Sequence, residues 1–223
     1  MRRRWINDEE NWHKLPARSW PENQPDVEEI PSLRAIVKTC REKNENEKGC
    51  ANERFALATA LVFNNMDVTE GLDIFKSNAV DNQHPDSMTA VGVVLVEGLG
   101  CDEDPKEGSD WLVMASSLDH SQADYELACL FYAGSAAPYI EENLDVAKSF
   151  FEKSAAKKHI CGSYMLADVL VEDLHKKETK DEIFNDTAAA IDLFVFAADN
   201  GHRFSRQQVI MILEGRHPLV KIN

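Results

Sequence analysis

Four histidines recur at nearly even intervals and divide most of the chain into units of similar length. They are His84, His120, His159 and His202, spaced 36, 39 and 43 residues apart. A small residue follows each histidine by three positions, and an apolar residue follows it by eleven. The small residues are Ser87, Ala123, Gly162 and Ser205, and the apolar residues are Leu95, Phe131, Leu170 and Leu213. A repeat of this length predicts stacked copies of one supersecondary unit.

The same register extends upstream of the histidines. Gly108, Ala147 and Ala190 lie twelve residues before a histidine, and large apolar residues lie eight or nine before it. Each unit therefore has two stretches with the apolar period of a helix, which predicts a helical hairpin. A single hairpin cannot bury its apolar faces alone. We predict an all-α fold, a right-handed α-solenoid of stacked helical hairpins.

The chain divides into an arm, a helix and the repeat array. Residues 1–30 hold three of the four tryptophans among several prolines, which predicts an extended N-terminal arm. Residues 31–50 are predicted to contain a helix at 32–46 followed by a linker. The array takes residues 51–223, with units at about 51–86, 87–122, 123–161 and 162–204 and a capping helix at 205–223. The charged insert 172–187 is predicted to be a surface loop.

The units resemble the Sel1-like repeats, which are relatives of the tetratricopeptide repeats. Residues 87–120 match the family pattern best, through Ser87, Val91, Gly92, Leu95, Gly98, Gly100, Cys101, Asp104, Gly108, Trp111, Leu112, Ala115, Ser116 and His120. Residues 197–202 are close to the family's hairpin ending. The resemblance covers residues 51–215 and implies an array used for contact with other proteins rather than for chemistry.

The resemblance also implies a concave groove lined by the first helix of each hairpin. Transfer by register from the tetratricopeptide repeats gives these candidate groove residues: Phe55, Thr59, Val62, Phe63, Thr89, Val93, Val96, Tyr125, Cys129, Tyr132, Tyr164, Asp168, Val171 and Met211. Their apolar and aromatic character suits anchoring of a peptide or helix, and the alternative is that they belong to the core between helices. The groove lacks the basic clamp with which tetratricopeptide co-chaperones hold a C-terminal carboxylate, so that class of ligand is not expected.

Two interpretations of the arm stay open. Its tryptophans, Trp5, Trp12 and Trp20, either fill the exposed face of the first hairpin or serve as anchors for a partner.

Net charge narrows the choice of partner. Acidic residues outnumber basic ones, 39 to 24, which gives a formal charge of −15. Such a chain repels phosphate backbones and anionic lipid, so no nucleic-acid partner is expected. A protein partner is expected to have a basic rim around apolar anchors. No apolar run is long enough for a bilayer, so we do not expect an integral membrane protein.

The cysteines bear on the compartment. Five cysteines without a CxxC pair predict reduced thiols and an intracellular location, with the cytoplasm expected and the mitochondrion as the alternative. Cys40 and Cys50 flank nine residues, a spacing seen in disulfide-linked helical hairpins of the mitochondrial intermembrane space. A disulfide between these two residues therefore stays an alternative. No apolar stretch of a secretory signal opens the chain.

Catalytic and metal chemistry find little support. One histidine per hairpin, with helices about 10 Å apart, cannot converge on a zinc ion, so no metal site and no cofactor are expected. Residues 154–157 read Ser-Ala-Ala-Lys, the S-x-x-K of serine β-lactamases, but no S-D-N or K-T-G accompanies them. We therefore predict a non-enzymatic adaptor or scaffold that holds a protein or peptide in its groove. The alternatives are an assembly factor or accessory subunit of a mitochondrial complex, and a β-lactam-interacting enzyme.

Overall fold

The computed structural model describes residues 25–42 and 50–217, and most of these residues are helical. Apart from one isolated bridge between Ala136 and Ile140, no β-structure occurs among them. Ten α-helices follow one another in these residues: α1 Ile30–Glu42, α2 Ala51–Phe63, α3 Val68–Asn82, α4 Pro85–Glu97, α5 Pro105–Ser117, α6 Ser121–Ala133, α7 Leu144–Ala156, α8 Ile160–Asp173, α9 Lys180–Asp199 and α10 Ser205–Leu213.

Short polar side chains start the second helix of the hairpins. Asp67 accepts a hydrogen bond from the backbone amide of Glu70, and Asp104 accepts one from that of Glu107, both at 2.9 Å. Asn143 does the same at the start of α7, over 3.1 Å. Each bond satisfies an amide that has no partner within its own helix. The helix starts are therefore encoded locally.

Two predicted boundaries differ from the structure. The N-terminal helix begins at Ile30 rather than at residue 32, with Pro31 in its first turn. The prediction of a surface loop over 172–187 is wrong, because α8 continues to Asp173 and α9 begins at Lys180. The physical reason is a capping box. Thr179 accepts from the backbone amide of Glu182, and the Glu182 carboxylate accepts from the backbone amide of Thr179.

The chain forms two compact units, and the first contains α1 to α6. In this unit α2 packs on α3 and α4 packs on α5, while α3 also contacts α4 and α5 contacts α6. Leu57, Leu61, Phe75, Val91 and Leu95 are members of one buried apolar cluster formed by α2, α3 and α4. Ile30 and Val37 of α1 belong to the same cluster, so α1 covers the first hairpin.

Close approach of the helices in the second hairpin depends on glycine. A Cβ atom on Gly92 of α4 would lie 2.8 Å from the carbonyl oxygen of Gly108 on α5, and a Cβ on Gly108 would lie 2.8 Å from the carbonyl oxygen of Gly92. Real Cβ atoms do not approach backbone oxygens so closely, so any side chain here forces the helices apart. The small residues of the repeat therefore mark the crossing point of a hairpin.

The second unit, described from residue 143 to residue 217, contains α7 to α10. Here α8 packs on both α7 and α9, and α10 packs on α9. Phe151, Met165, Phe194 and Ile212 are fully buried, one from each helix. Each helix of this unit therefore contributes a large apolar side chain to the interior.

Three connections hold α1 in place. Cys40, near its end, forms a disulfide with Cys50, which directly precedes α2. Arg34 makes a bidentate ion pair with Glu70 of α3. Before α1, the carbonyl oxygen of Pro25 accepts a hydrogen bond from the Asn64 amide at 3.1 Å. The prediction that all five cysteines are reduced is wrong for the Cys40–Cys50 pair, whereas Cys101, Cys129 and Cys161 form no disulfide.

Among the helices within the described ranges, none combines the length and the apolar character that crossing a bilayer requires.

Candidate protein-binding face

The repeat histidines stand at the start of the first helix of a hairpin. The Nδ1 atom of His84 accepts a hydrogen bond from the backbone amide of Ser87 at 3.2 Å, and that of His159 accepts one from the amide of Gly162 at 3.0 Å. The Nδ1 atom of His202 lies 2.7 Å from the Ser205 hydroxyl. A histidine here replaces the usual Ser, Asp or Asn cap. This arrangement requires neutral imidazole, because a protonated Nδ1 cannot accept.

Three predicted groove residues contact the histidine of the next hairpin instead of lining an open groove. The ring centroids of Phe55 and His84 are 5.4 Å apart. The hydroxyl of Thr89 lies 2.9 Å from Nδ1 of His120. In the second unit the rings of Tyr164 and His202 are 4.2 Å apart. These equivalent positions therefore join consecutive hairpins, and their assignment to a partner-binding groove stays a prediction.

Acidic and amide side chains complete the contacts of two of these histidines. The carboxylate of Asp86 lies 3.1 Å from Nε2 of His120, and the side-chain oxygen of Asn52 lies 3.3 Å from Nε2 of His84. Burial opposes ionisation of Asp86, but its hydrogen bond to His120, the charges of His120 and His84 and a backbone hydrogen bond together outweigh burial and lower its pKa. Burial lowers the pKa of His84, and the negative charge of Asp86 only partly offsets that. The histidines are therefore structural connectors between hairpins.

Three other predicted groove residues lie between or beneath helices. A Cβ on Gly71 would lie 2.5 Å from Cγ2 of Val62, and a Cβ on Gly108 would lie 2.7 Å from Cγ2 of Val96. Both valines therefore point at the second helix of their own hairpin. Val171 is buried as well. Val62 is buried too and Val96 is half-buried, and the assignment of these three residues to a groove stays a prediction.

The remaining candidates form what we call the inner face. In the first unit it consists of Thr59, Val93, Tyr125 and Cys129, of which the first three are buried and Cys129 is half-buried. Asp168 is the equivalent of Cys129 in the second unit and is half-buried. Phe63 packs against the apolar cluster of the first hairpin, and Tyr132 and Met211 are half-buried. Trp5, Trp12 and Trp20 lie outside the described residues.

The first helices of the hairpins are enclosed on every side. No residue of α4, α6 or α8 is exposed, and nine consecutive residues of α4, 87–95, are buried. Successive residues of an α-helix are about 100° apart around its axis, so nine residues make more than two full turns. All faces of α4 are therefore covered. The second helices differ. On α5, for example, Lys106, Asp110, Val113, Met114 and Ser117 are exposed.

The enclosed helices carry polar groups that an apolar core does not explain. Glu126 on α6 is only 2% exposed, and its carboxylate accepts a hydrogen bond from the Gln122 amide at 2.8 Å. Asp124 is fully buried and accepts a hydrogen bond from the Ser116 hydroxyl at 2.6 Å. The hydroxyl of Thr59 is buried and has no hydrogen-bond partner among the described residues. Buried polar groups normally have partners, so the Thr59 hydroxyl is an exception to that rule.

The inner face of the second unit carries an acid beside a buried phenol. Burial raises the pKa of Tyr164, and the negative charge of Asp168 raises it further. The tyrosine is therefore neutral, and Asp168 gives this face a negative charge. Such a face favours a cationic ligand.

A separate cleft lies beside α1. It has a volume of about 790 Å³ and is lined by Arg34, Val37, Lys38, Leu57, Asp67, Thr69, Glu70, Asp73, Ile74 and Ser77. Its lining includes acidic and basic side chains together with a few apolar ones.

Within residues 25–42 and 50–217, no group of three or more His, Cys, Asp and Glu side chains is arranged to hold a metal ion. Ser154 of the S-x-x-K sequence is fully buried, and a Cβ on Gly162 would lie 2.4 Å from its hydroxyl oxygen. A hydroxyl packed in this way cannot reach a substrate in this structure.

Known structures identify the fold. A protective antigen of uropathogenic Escherichia coli strains, described as displaying an SLR fold, has 20% sequence identity and a TM-score of 0.66 over 89% of this chain. A Sel1 repeat protein from Oxalobacter formigenes has 16% identity and a TM-score of 0.65 over 88% of this chain. The chain spans 38% of the first protein and 74% of the second. No family model and no curated protein matches the sequence.

The chain therefore has the fold of the Sel1-like repeat proteins. The predicted fold class, an all-α solenoid of stacked helical hairpins, is confirmed, and so is the resemblance to the Sel1-like repeats at the level of the fold.

Proposed function

We propose that this chain is a non-enzymatic scaffold that holds a protein or peptide partner against its inner face. Repeat folds of this class generally serve protein interaction, because stacked repeats form extended binding surfaces. The observation that carries the proposal is the half-buried Asp168, whose negative charge lies beside Tyr164 on the inner face of the second unit. An acid beside an aromatic ring suits a ligand that supplies a cation and apolar contacts.

The charge of the face defines the partner. Asp168 lies on it in the second unit, and the whole chain carries a charge of −15. Burial of a carboxylate is favourable only beside hydrogen-bond donors or cations. We expect a basic segment with apolar or aromatic anchors.

A pair of charge reversals tests the proposal. Asp168→Lys changes the inner face, and Asp110→Lys makes the same change at an exposed position of α5. We expect a partner that co-purifies with the wild type, identified by mass spectrometry, to be retained by Asp110→Lys and lost with Asp168→Lys. Circular dichroism checks that both variants fold. Retention by both variants, or loss with both, contradicts binding at the inner face.

The disulfide favours a second candidate, an assembly factor or accessory subunit of a mitochondrial complex. Cys40 and Cys50 enclose nine residues and join two helices, which is an arrangement expected in an oxidising compartment. Fractionation of the native source, with the thiol state of the chain trapped before lysis, tests this candidate. A cytosolic chain with both cysteines reduced contradicts it.

A further inference from the structure

Helix α10 of the second unit carries large apolar side chains on an exposed side. Ile210 is 45% exposed and Leu213 is 66% exposed. Arg206, which is also exposed, lies four residues before Ile210, so the three side chains follow one another along the same side of the helix. We call these three residues the outer stripe of α10. Ile212, on the opposite side, is fully buried.

The same side of the first helix is covered in the other hairpins. In the register of the repeat, Ile210 corresponds to Gly92, Ala128 and Ala167, and both alanines are fully buried. A Cβ on Gly92 would lie 2.6 Å from Cγ of Leu112, so this side of α4 faces the second helix of its hairpin. On α10 the corresponding side is exposed, and none of the described helices covers it.

The exposed side of α10 is suited to receive a helix. Terminal helices of repeat arrays usually have a polar outer face, whereas large apolar side chains that follow one another on a surface mark a contact site. The side that carries Ile210 is the one on which a second helix packs elsewhere in the array. Isoleucine in place of glycine or alanine keeps an incoming helix further away, and its side chain fits between the residues of that helix.

The charge around the outer stripe favours an acidic helix. Residues 200–217 contain three arginines and one acid, although the whole chain has a charge of −15. The acid, Glu214, already pairs with Arg216. Arg203, in the turn before α10, and Arg206, in its first turn, are both exposed. The second helices α3, α5 and α9, which cover first helices elsewhere, also carry more acidic than basic residues.

We propose that the outer stripe of α10 is a docking surface for an acidic amphipathic helix of a partner protein. The incoming helix takes the place of a second helix. Its apolar residues cover Ile210 and Leu213, and its carboxylates lie near Arg203 and Arg206. This surface differs from the inner face in its position and in the sign of its charge, so the inference goes beyond the proposed function and does not depend on it.

A designed peptide serves as the probe. It has about 14 residues, close to four helical turns, with leucines along one side and glutamates at most other positions. A scrambled peptide of the same composition lacks the apolar side. Binding of each labelled peptide to the full chain is followed by fluorescence anisotropy in about 0.15 M NaCl, where a Debye length of about 8 Å limits repulsion by the rest of the chain.

Three variants locate the site. Ile210→Glu places a charge in the outer stripe, and Arg203→Glu/Arg206→Glu reverses the charge beside it. Val113→Glu makes the same change as Ile210→Glu at a residue of α5 in the first unit that is 53% exposed. Glutamate in the first turn suits the positive end of the helix dipole, so the arginine variant should keep α10 folded. Circular dichroism checks the fold of all three variants.

We expect the wild type to bind the amphipathic peptide more tightly than the scrambled one. Its Kd should rise about tenfold in Ile210→Glu and in Arg203→Glu/Arg206→Glu, and it should stay unchanged in Val113→Glu.

Several results would overturn the proposal. They are the absence of binding up to about 1 mM peptide, equal affinity for the scrambled peptide, and an unchanged Kd in Ile210→Glu. Equal weakening in Val113→Glu would place the contact elsewhere and also overturn it. An unchanged Kd in the arginine variant would overturn the acidic character of the partner. None of these results bears on the Asp168→Lys test of the proposed function.

Discussion

Histidine caps place an ionisable group at the junctions of this fold. A Ser or Asp cap bonds only to its own helix, whereas the imidazole has two nitrogens and a ring with which to contact two hairpins. His84 bonds to Ser87 through Nδ1 and contacts Asn52 through Nε2, while its ring packs on Phe55. The price of this arrangement is sensitivity to pH, since the cap functions only when the ring is neutral.

His202 provides a test of that sensitivity. Burial lowers its pKa to about 4, from an ordinary value near 6.5 in the unfolded chain. The unfolded chain therefore binds more protons between pH 6.5 and 4, and the free energy of unfolding falls as the pH drops through this window. Between pH 7 and pH 5, we expect the free energy of unfolding to fall by about 1 kcal/mol less in His202→Asn than in the wild type. This figure allows for partial exposure of the ring.

Urea unfolding at both pH values measures this difference. Asn is a suitable replacement because it caps helices without titrating. Identical losses in wild type and variant would show that His202 titrates normally in the folded protein.

Gly162 tests the small position that follows the histidine. A Cβ here would lie 2.4 Å from the hydroxyl oxygen and 2.8 Å from Cβ of Ser154. We expect Gly162→Ala to lower the free energy of unfolding by about 1–3 kcal/mol through overpacking. Ser154→Gly removes the clashing atoms, so the double variant should lose less than the sum of the two single losses. Strictly additive losses in urea unfolding would contradict the clash.

The sequence predicts much of the junction between hairpins, and what it does not predict has a physical reason. The spacing of histidines and small residues identified the junction, because a cap and a close contact each require particular residue types. The sequence does not show which neighbouring element the side chains of Phe55, Thr89 and Tyr164 contact. Register places a residue on one side of a helix, but only the packed structure decides which neighbouring helix approaches that side.

At the level of elements, the helix that covers the first hairpin is the least repetitive part of the array. Helix α1 buries Ile30 and Val37, and Ile36 on its other side is exposed. A helix with one narrow apolar stripe gains little from packing alone. The disulfide and the Arg34–Glu70 ion pair therefore matter more here than elsewhere. The early start of α9 was missed for a different reason: the Thr179–Glu182 capping box overrides the polar character of the insert.

The disulfide gives a countable prediction. Under denaturing, non-reducing conditions the chain should titrate three thiols, those of Cys101, Cys129 and Cys161, and five after reduction. Because the crosslink closes a loop of ten residues, its removal by Cys40→Ser/Cys50→Ser should cost about 2–3 kcal/mol. Cys101→Ser is the matched control, since it removes a thiol without a crosslink. Five thiols before reduction would exclude the disulfide.

At the level of the whole molecule, the fold and the charge have separate origins. Hairpin packing depends on about one small residue and a few large apolar residues per helix, so the exposed second helices are free to vary. Here α3, α5 and α9 carry more acidic than basic residues, α7 carries equal numbers, and the whole chain reaches a charge of −15. The fold class was predictable because the packing pattern repeats. The partner was not, because a repeated pattern describes contacts within the array and leaves the inner face unspecified.

The net charge predicts how salt affects stability. Like charges repel more strongly in the compact state than in the extended chain. Raising NaCl from about 0.01 M to about 0.15 M shortens the Debye length from about 30 Å to about 8 Å and screens this repulsion. The same salt also weakens the ion pairs, but those on the surface, such as Lys76–Glu107, contribute only about 0–1 kcal/mol each. We therefore expect the Tm to rise by about 2–4 °C, or about 1 kcal/mol.

A charge-reduced variant separates screening of the net charge from other effects of salt. Four exposed aspartates, Asp73, Asp102, Asp110 and Asp192, are changed together to asparagine, which reduces the charge from −15 to −11. The variant should have the higher Tm at low salt and the smaller response to NaCl, because less repulsion remains to be screened. A Tm that falls with NaCl in the wild type would mean that the ion pairs outweigh the repulsion. An equal response in both proteins would mean that NaCl acts through something other than the net charge.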